Sequence, residues 1–177
     1  MFSVDIIAKC IKDLKTSINM LENIKMPACN KLNISSKNLT KPMEVESLLK
    51  LIDNKNTNVI YVFYIDKGKV ECVKNAAQKY RSKKGEIHFS QINNSNSTCL
   101  YVGSKITGIR GRIKQHIGTD NTRTYAMHLK SWIIKCDTNI HIEYYSFDDS
   151  VSRETVQLME NTLWRQKKPL LGKLGAK

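Results

Sequence analysis

Arg112 and His116 stand four residues apart in the run RGRIKQH, so a helix would present a permanent cation and a titratable imidazole on one face. Glu160 lies beside Val156, Met159 and Leu163, which recur at helical spacing. A carboxylate there is either a solvated helix edge or a ligand for a hard divalent cation. Tyr61 falls in the apolar run NVIYVFYI (58–65) and Tyr101 in CLYVG (99–103). Each tyrosine reads on its own as a strand aromatic, yet each carries a hydroxyl that could orient a water or a phosphate. Other chemistries find no support. His88, His128 and His141 have no metal-ligand spacing with any acid or cysteine, and HExxH, GxGxxG and Walker-type glycine loops are absent. The five cysteines, at 10, 29, 72, 99 and 136, are far apart with no CxxC pair, which reads as free thiols rather than zinc ligands or a disulfide framework.

These residues need elements to hold them. Residues 58–65 are β-branched and aromatic on both faces, as a central strand buried on two sides should be. Residues 99–103 make a second strand ending at a glycine. Ile109, Ile113 and Ile117, at spacings of four, predict a helix over 108–117 that Gly118 stops. A further helix is expected over 124–134, a strand over 140–147 with Ile140, Ile142 and Tyr144 on one face, and a last helix from about 152 to 166 ahead of Pro169. Upstream, Ile6, Ile7, Cys10, Ile11, Leu14, Ile18 and Leu21 predict an amphipathic helix over 4–24. Residues 26–42 are polar, contain two prolines and read as a linker; residues 43–53 read as a short helix. The first 57 residues thus form a helical extension with a linker.

In this order the motifs resemble those of the GIY-YIG endonucleases. Val59-Ile60-Tyr61 and Tyr101-Val102-Gly103-Ser104 stand for the two name-giving motifs, Arg112 and His116 for the helix that follows, and Glu160, Leu163, Trp164 and Pro169 for the late helix and its exit. The resemblance covers residues 58–172. It implies a small α/β domain at 58–177, a three-stranded, mainly antiparallel sheet flanked by helices, that hydrolyses DNA phosphodiesters with Mg²⁺ or Mn²⁺. It further implies that Glu160 binds the metal and Tyr61 accepts the proton of the attacking water. Tyr101 would orient water or phosphate, Arg112 would hold a phosphate oxygen, and His116 would support the phosphate or Tyr61, or act as a second base. A guanidinium fork suits phosphate because it cannot lose its proton. A tyrosine titrating near 10 needs nearby positive charge to serve as a base near neutral pH.

The sequence also departs from that pattern. Val59 replaces the first glycine, and Gly172 stands where the family often carries asparagine after the proline. Forty residues separate Tyr61 from Tyr101, far more than usual. The excess is a basic helical insertion at about 67–98, its helix expected over 71–84. From Lys67 to Lys84 seven residues are basic and only Glu71 is acidic. That run is either a solvated surface helix or a DNA contact made through Lys74, Lys79, Arg81, Lys83 and Lys84, joined near the motifs by Lys105, Arg110 and Lys114.

Charge supports a polyanionic partner. The chain of 177 residues carries +13 formally, +3 over residues 1–57 and +10 over 58–177. Its composition, 41% hydrophobic and 25% charged, is that of a soluble globular protein. Acidic and basic residues interrupt the apolar character of the first fifteen positions, and no run approaches a membrane span, so a soluble cytoplasmic protein is expected. Within the resemblance, a restriction-type or mobile-element nuclease fits a chain of this size. The alternatives are a binding module that keeps the fold without cutting and an interaction protein whose basic face meets an acidic partner.

Overall fold

The computed structural model describes residues 3–82, 88–119 and 124–175. In chain order the elements are α1 (Val4–Glu22), β1 (Asn30–Ser35), α2 (Pro42–Lys50), β2 (Val59–Ile65), α3 (Val70–Ser82), β3 (Cys99–Lys105), α4 (Ile109–Ile117), β4 (Asn139–Ser146) and α5 (Arg153–Lys167), with short 3-10 turns between some of them. The fold is mixed α/β. Its sheet has four strands rather than three, in the order β1-β4-β2-β3, with every neighbouring pair antiparallel.

The additional strand comes from the segment read as a linker. Leu32 and Ile34 point into the core while Lys31 and Asn33 face solvent, and the strand pairs in register with β4, Leu32 opposite Ile142. An edge strand with one wet face needs only two apolar side chains, too few to stand out among asparagines and lysines. α2 begins one residue earlier than expected, at Pro42, whose fixed φ suits a first helical position.

β2 is the strand the sequence marked as central, and it is buried on both faces. Val59, Tyr61, Phe63 and Ile65 enter the main core, which gathers α2, α3, α4 and residues 126–136. Ile60 and Val62 point the other way, into two smaller clusters closed by Val156, Met159, Leu163 and Trp164 of α5. The sheet therefore carries α5 on one face and the other core helices on the opposite one. Alternation also holds in β4, where Ile140, Ile142 and Tyr144 are buried in turn.

The helix expected over 124–134 does not form. Its place is taken by two 3-10 turns, Leu129–Ser131 and Ile133–Cys136. His128 adopts a left-handed conformation (φ 46°) and breaks the ladder, while the Trp132 indole N–H donates to the Met127 carbonyl at 2.7 Å. A hydrophobic spacing of three and four suits these tight turns as well as it suits a helix.

β3 lies at a sheet edge. Its first two residues are covered by the chain leaving α5: Leu170 N–H donates to the Cys99 carbonyl and Leu171 N–H to the Leu100 carbonyl, both at 2.9 Å. This closes part of an edge that would otherwise template association. Among the described residues, no helix is long and apolar enough to cross a membrane.

Candidate active site

Tyr61, Tyr101, Arg112, His116 and Glu160 converge from four elements on the edge formed by β3. Tyr61 and Tyr101 project from the same face of neighbouring strands, with ring planes 12° apart and centroids 6.1 Å apart. The residue that permits this is Gly103, cross-strand partner of Tyr61. A Cβ there would lie 2.6 Å from the Tyr61 hydroxyl and 2.8 Å from the Tyr101 ring, so any side chain would displace one of the tyrosines. Gly172 does the same from the other side. Its φ is +102°, and a Cβ would approach the Tyr101 ring to 2.9 Å. The position read as a lost asparagine is thus one where only glycine fits.

α4 brings Arg112 and His116 to the Tyr61 hydroxyl. The His116 imidazole lies 3.0 Å from the Tyr61 hydroxyl through Nε2, and the Met127 N–H donates to its Nδ1 at 3.4 Å. A ring nitrogen accepting from an amide carries no proton, so the neutral tautomer places the hydrogen on Nε2, which donates to Tyr61. His116 is fully buried, and burial first, then Arg112 and His128, hold its pKa well below the ordinary value of 6.5. Its one free lone pair faces a backbone amide. The expectation that His116 could act as a second base therefore has no support in this geometry, which makes it a hydrogen-bond donor.

Arg112 Nε donates to the same Tyr61 oxygen at 3.2 Å, and Nη2 approaches the Tyr101 hydroxyl at 3.5 Å. Nη1 is fixed by the Gln115 side chain and the Tyr125 carbonyl, each at 3.0 Å. Both lone pairs of the Tyr61 oxygen are thus engaged by donors, an arrangement that favours the phenolate. Burial opposes it and prevails: Tyr61 is 1% exposed, and its pKa is raised far above 10 by desolvation, with Tyr101 and Glu160 adding to the rise. Burial raises Tyr101 as well.

Glu160 comes from α5, on the opposite face of the sheet, and meets the cluster beside β3. Ser104 donates a short hydrogen bond to its Oε2, and Gln157, one helical turn earlier, donates to the same oxygen at 3.3 Å. At 6% exposure the carboxyl is pushed upward by desolvation, with Ser104, Gln157 and Arg112 pulling it back. The Ser104 backbone N–H also favours the ionised carboxylate. No cluster of three or more His, Cys, Asp or Glu occurs among the described residues. A cation here would have Glu160 as its single protein carboxylate, which suits an ion that retains most of its waters.

Comparison with protein-family models, with curated proteins and with solved structures finds no match. The site rests on its own geometry.

The basic residues are not gathered into one patch. Lys79 and Arg81 are exposed on α3, and Lys74, half-buried, donates to Asn96 at 3.1 Å. Lys74 and Arg81 line a groove of about 670 Å³ together with Gln78, Ile92 and Asn93. Lys83 and Lys84 lie outside the described residues. Lys105 is exposed at the far end of β3, opposite Val59, and Lys114 is half-buried on α4. Arg110 is committed elsewhere: its Nε donates to the Ile52 carbonyl at 3.1 Å and Nη2 to the same oxygen, fastening α4 to the exit of α2.

Three residues that hold the cluster in place, Gln115, Gln157 and Asn93, carry no signal in the sequence. Asn93 lies in the 67–98 insertion, beyond its expected helix. Its side-chain amide donates to the carbonyls of Pro169 at 3.0 Å and Gly172 at 2.9 Å, while its backbone N–H donates to Leu170 at 2.8 Å. This clamps the turn that presses Gly172 on Tyr101. Gly103 and Ser104, which complete the second motif, are marked in the sequence by their position in it.

Proposed function

We propose that the chain is a metal-dependent endonuclease of the GIY-YIG type that hydrolyses DNA phosphodiester bonds. The observation that carries this reading is the meeting of Tyr61, Tyr101, Arg112, His116 and Glu160. These residues come from β2, β3, α4 and α5 and are joined through shared hydrogen bonds and charge interactions. A solvated face or a set of ordinary core aromatics would not bring them together with an arginine and a carboxylate.

Glu160 is the residue that would hold Mg²⁺ or Mn²⁺, which supplies charge neutralisation for the phosphate and a lowered pKa for water. Beyond its bond to the Tyr101 hydroxyl, Arg112 Nη2 carries a second N–H for a phosphate oxygen, its other nitrogens being spent on orientation. His116, held as a neutral donor, and Arg112 both direct N–H groups at the Tyr61 oxygen and fix its position in the site. Tyr101 positions the substrate oxygen on the adjacent strand. DNA is the partner, reached through Lys79 and Arg81 of α3 and through Lys105.

The second reading, a nucleic-acid-binding module that does not cut, is favoured by the burial of Tyr61 and the high pKa that follows from it. Incubation of plasmid and branched DNA with Mg²⁺, with EDTA and with Glu160→Gln separates the two. Fragments that require the metal and vanish in the variant support the nuclease. Salt-sensitive binding with no cutting of any substrate supports the module. Glu160→Gln also has an expected physical signature. A carboxyl whose folded pKa is raised contributes stability below its ordinary value of 4.5 and loses it as pH rises through the folded pKa. At pH 7 the charge is therefore a burden, and the variant should melt at a higher temperature than the wild type, by an amount that shrinks as pH falls.

A further inference from the structure

We infer that α1 is a parallel coiled-coil dimerisation helix whose partner is α1 of a second copy of this chain. Its apolar residues contain an unbroken heptad series, with Ile6 and Cys10 lying beside it. Val4, Ile11 and Ile18 are spaced by seven, as are Ile7, Leu14 and Leu21, and the two sets interleave at steps of three and four. A spacing of 3.5 residues is self-complementary: it keeps one seam facing an identical helix over successive turns. The first set is entirely β-branched and the second ends in two leucines, a combination that selects two parallel strands. The flanking positions, Cys10 and Ser17 against Lys15 and Glu22 of the other copy, oppose no like charges.

The structure leaves this seam uncovered. None of the 19 residues of α1 is fully buried, and residues 3–16 are exposed throughout. Only its last turns touch the body, where Ser17, Met20 and Leu21 are half-buried and the Thr155 hydroxyl reaches the Met20 sulfur at 3.6 Å on α5. A free helix of this length is marginal in water, so its stability calls for a partner on its apolar face. Val4 is 80% exposed, Ile7 47%, Ile11 48%, Leu14 60% and Ile18 53%. Exposure to that extent on five aliphatic side chains amounts to roughly 500 Å² per copy and about 1,000 Å² for a pair, which reaches the lower bound of a specific interface. The inference is independent of the chemistry assigned to the β3 edge.

Sedimentation of the full chain over micromolar concentrations tests it. The wild-type protein should sediment at twice the chain mass. The double variant Ile11→Lys, Leu14→Lys should be monomeric, with its dissociation constant raised at least ~100-fold. Because neither side chain is buried in a single copy, the near-ultraviolet circular dichroism of the body should be unchanged, while the far-ultraviolet signal should lose no more than the contribution of α1. In a chain whose exposed Cys10, Cys29 and Cys72 are replaced by serine, Leu14→Cys should cross-link to a covalent dimer under mild oxidation, as parallel in-register helices require. A wild-type monomer, a dimer indifferent to the lysine pair, or failure of the Leu14→Cys cross-link would each overturn the proposal. So would a monomer that binds anionic lipid vesicles through this helix.

Discussion

At the scale of single residues, the site is built around space that glycine leaves open. Gly103→Ala would drive a methyl group into the Tyr61 hydroxyl and the Tyr101 ring, both held between packed strands and unable to retreat. We expect a loss of about 1–3 kcal/mol in urea unfolding, with a changed tyrosine signal in near-ultraviolet circular dichroism. A second residue-scale expectation concerns His116. Its folded pKa is depressed, so the stability it contributes is present above 6.5 and lost as pH falls through the lower folded value. Between pH 6.5 and 5 the unfolded chain takes up a proton that the folded chain refuses. Wild-type stability should fall across that window by up to about 1.4 kcal/mol per pH unit, and His116→Gln should flatten the fall. An unchanged slope in the variant would mean that His116 is protonated in the folded protein.

At the scale of elements, the segment between α3 and β3 stitches the fold together. Phe89 bridges to Ala126 and Ile92 to Leu171, so the long interval between the two tyrosine strands is tied to both the 126–136 turns and the exit of α5. Asn93 fastens the second of these ties. Asn93→Ala leaves two backbone carbonyls unpaired and should cost about 1–2 kcal/mol by chemical denaturation. If the turn it holds positions Tyr101 through Gly172, cleavage should drop by more than this instability explains, with DNA affinity retained. A variant that loses stability but cuts at the wild-type rate would confine Asn93 to a structural role. α4 is placed by a comparable device, since Arg110 fastens it to the Ile52 carbonyl and Ile109, Ile113 and Ile117 bury it against the sheet.

For the whole molecule, the excess of positive charge predicts how it would meet DNA, the partner proposed for it. The cations are spread over α3, β3 and α4, so their effect on DNA should be mainly electrostatic and weakly selective for sequence. The logarithm of the binding constant should fall linearly with the logarithm of salt concentration. Lys79→Ala and Arg81→Ala should each lower that slope by about 1, whereas Arg110→Ala should act through stability because its side chain is spent on Ile52. A flat salt response in the wild-type protein would remove DNA as the partner.

The sequence by itself determined the central strand, the helix carrying Arg112 and His116, the last helix and the order of the motifs along the chain. These are legible because burial on two faces, four-residue isoleucine spacing and glycine stops are local patterns that a packed core requires. It did not reveal β1, whose polar outer face hides two core residues, nor the breaking of the 124–134 segment into turns by His128. The hydrogen-bonding state of His116 was also out of reach, since it depends on the Met127 amide eleven residues away. Only the tertiary structure decided that Glu160 meets the tyrosines across the sheet edge, that Gly172 is demanded by the Tyr101 ring, and that Asn93 clamps the turn presenting it. Spacing records what one element buries, whereas a site at the junction of four elements depends on distances between residues that the chain keeps far apart.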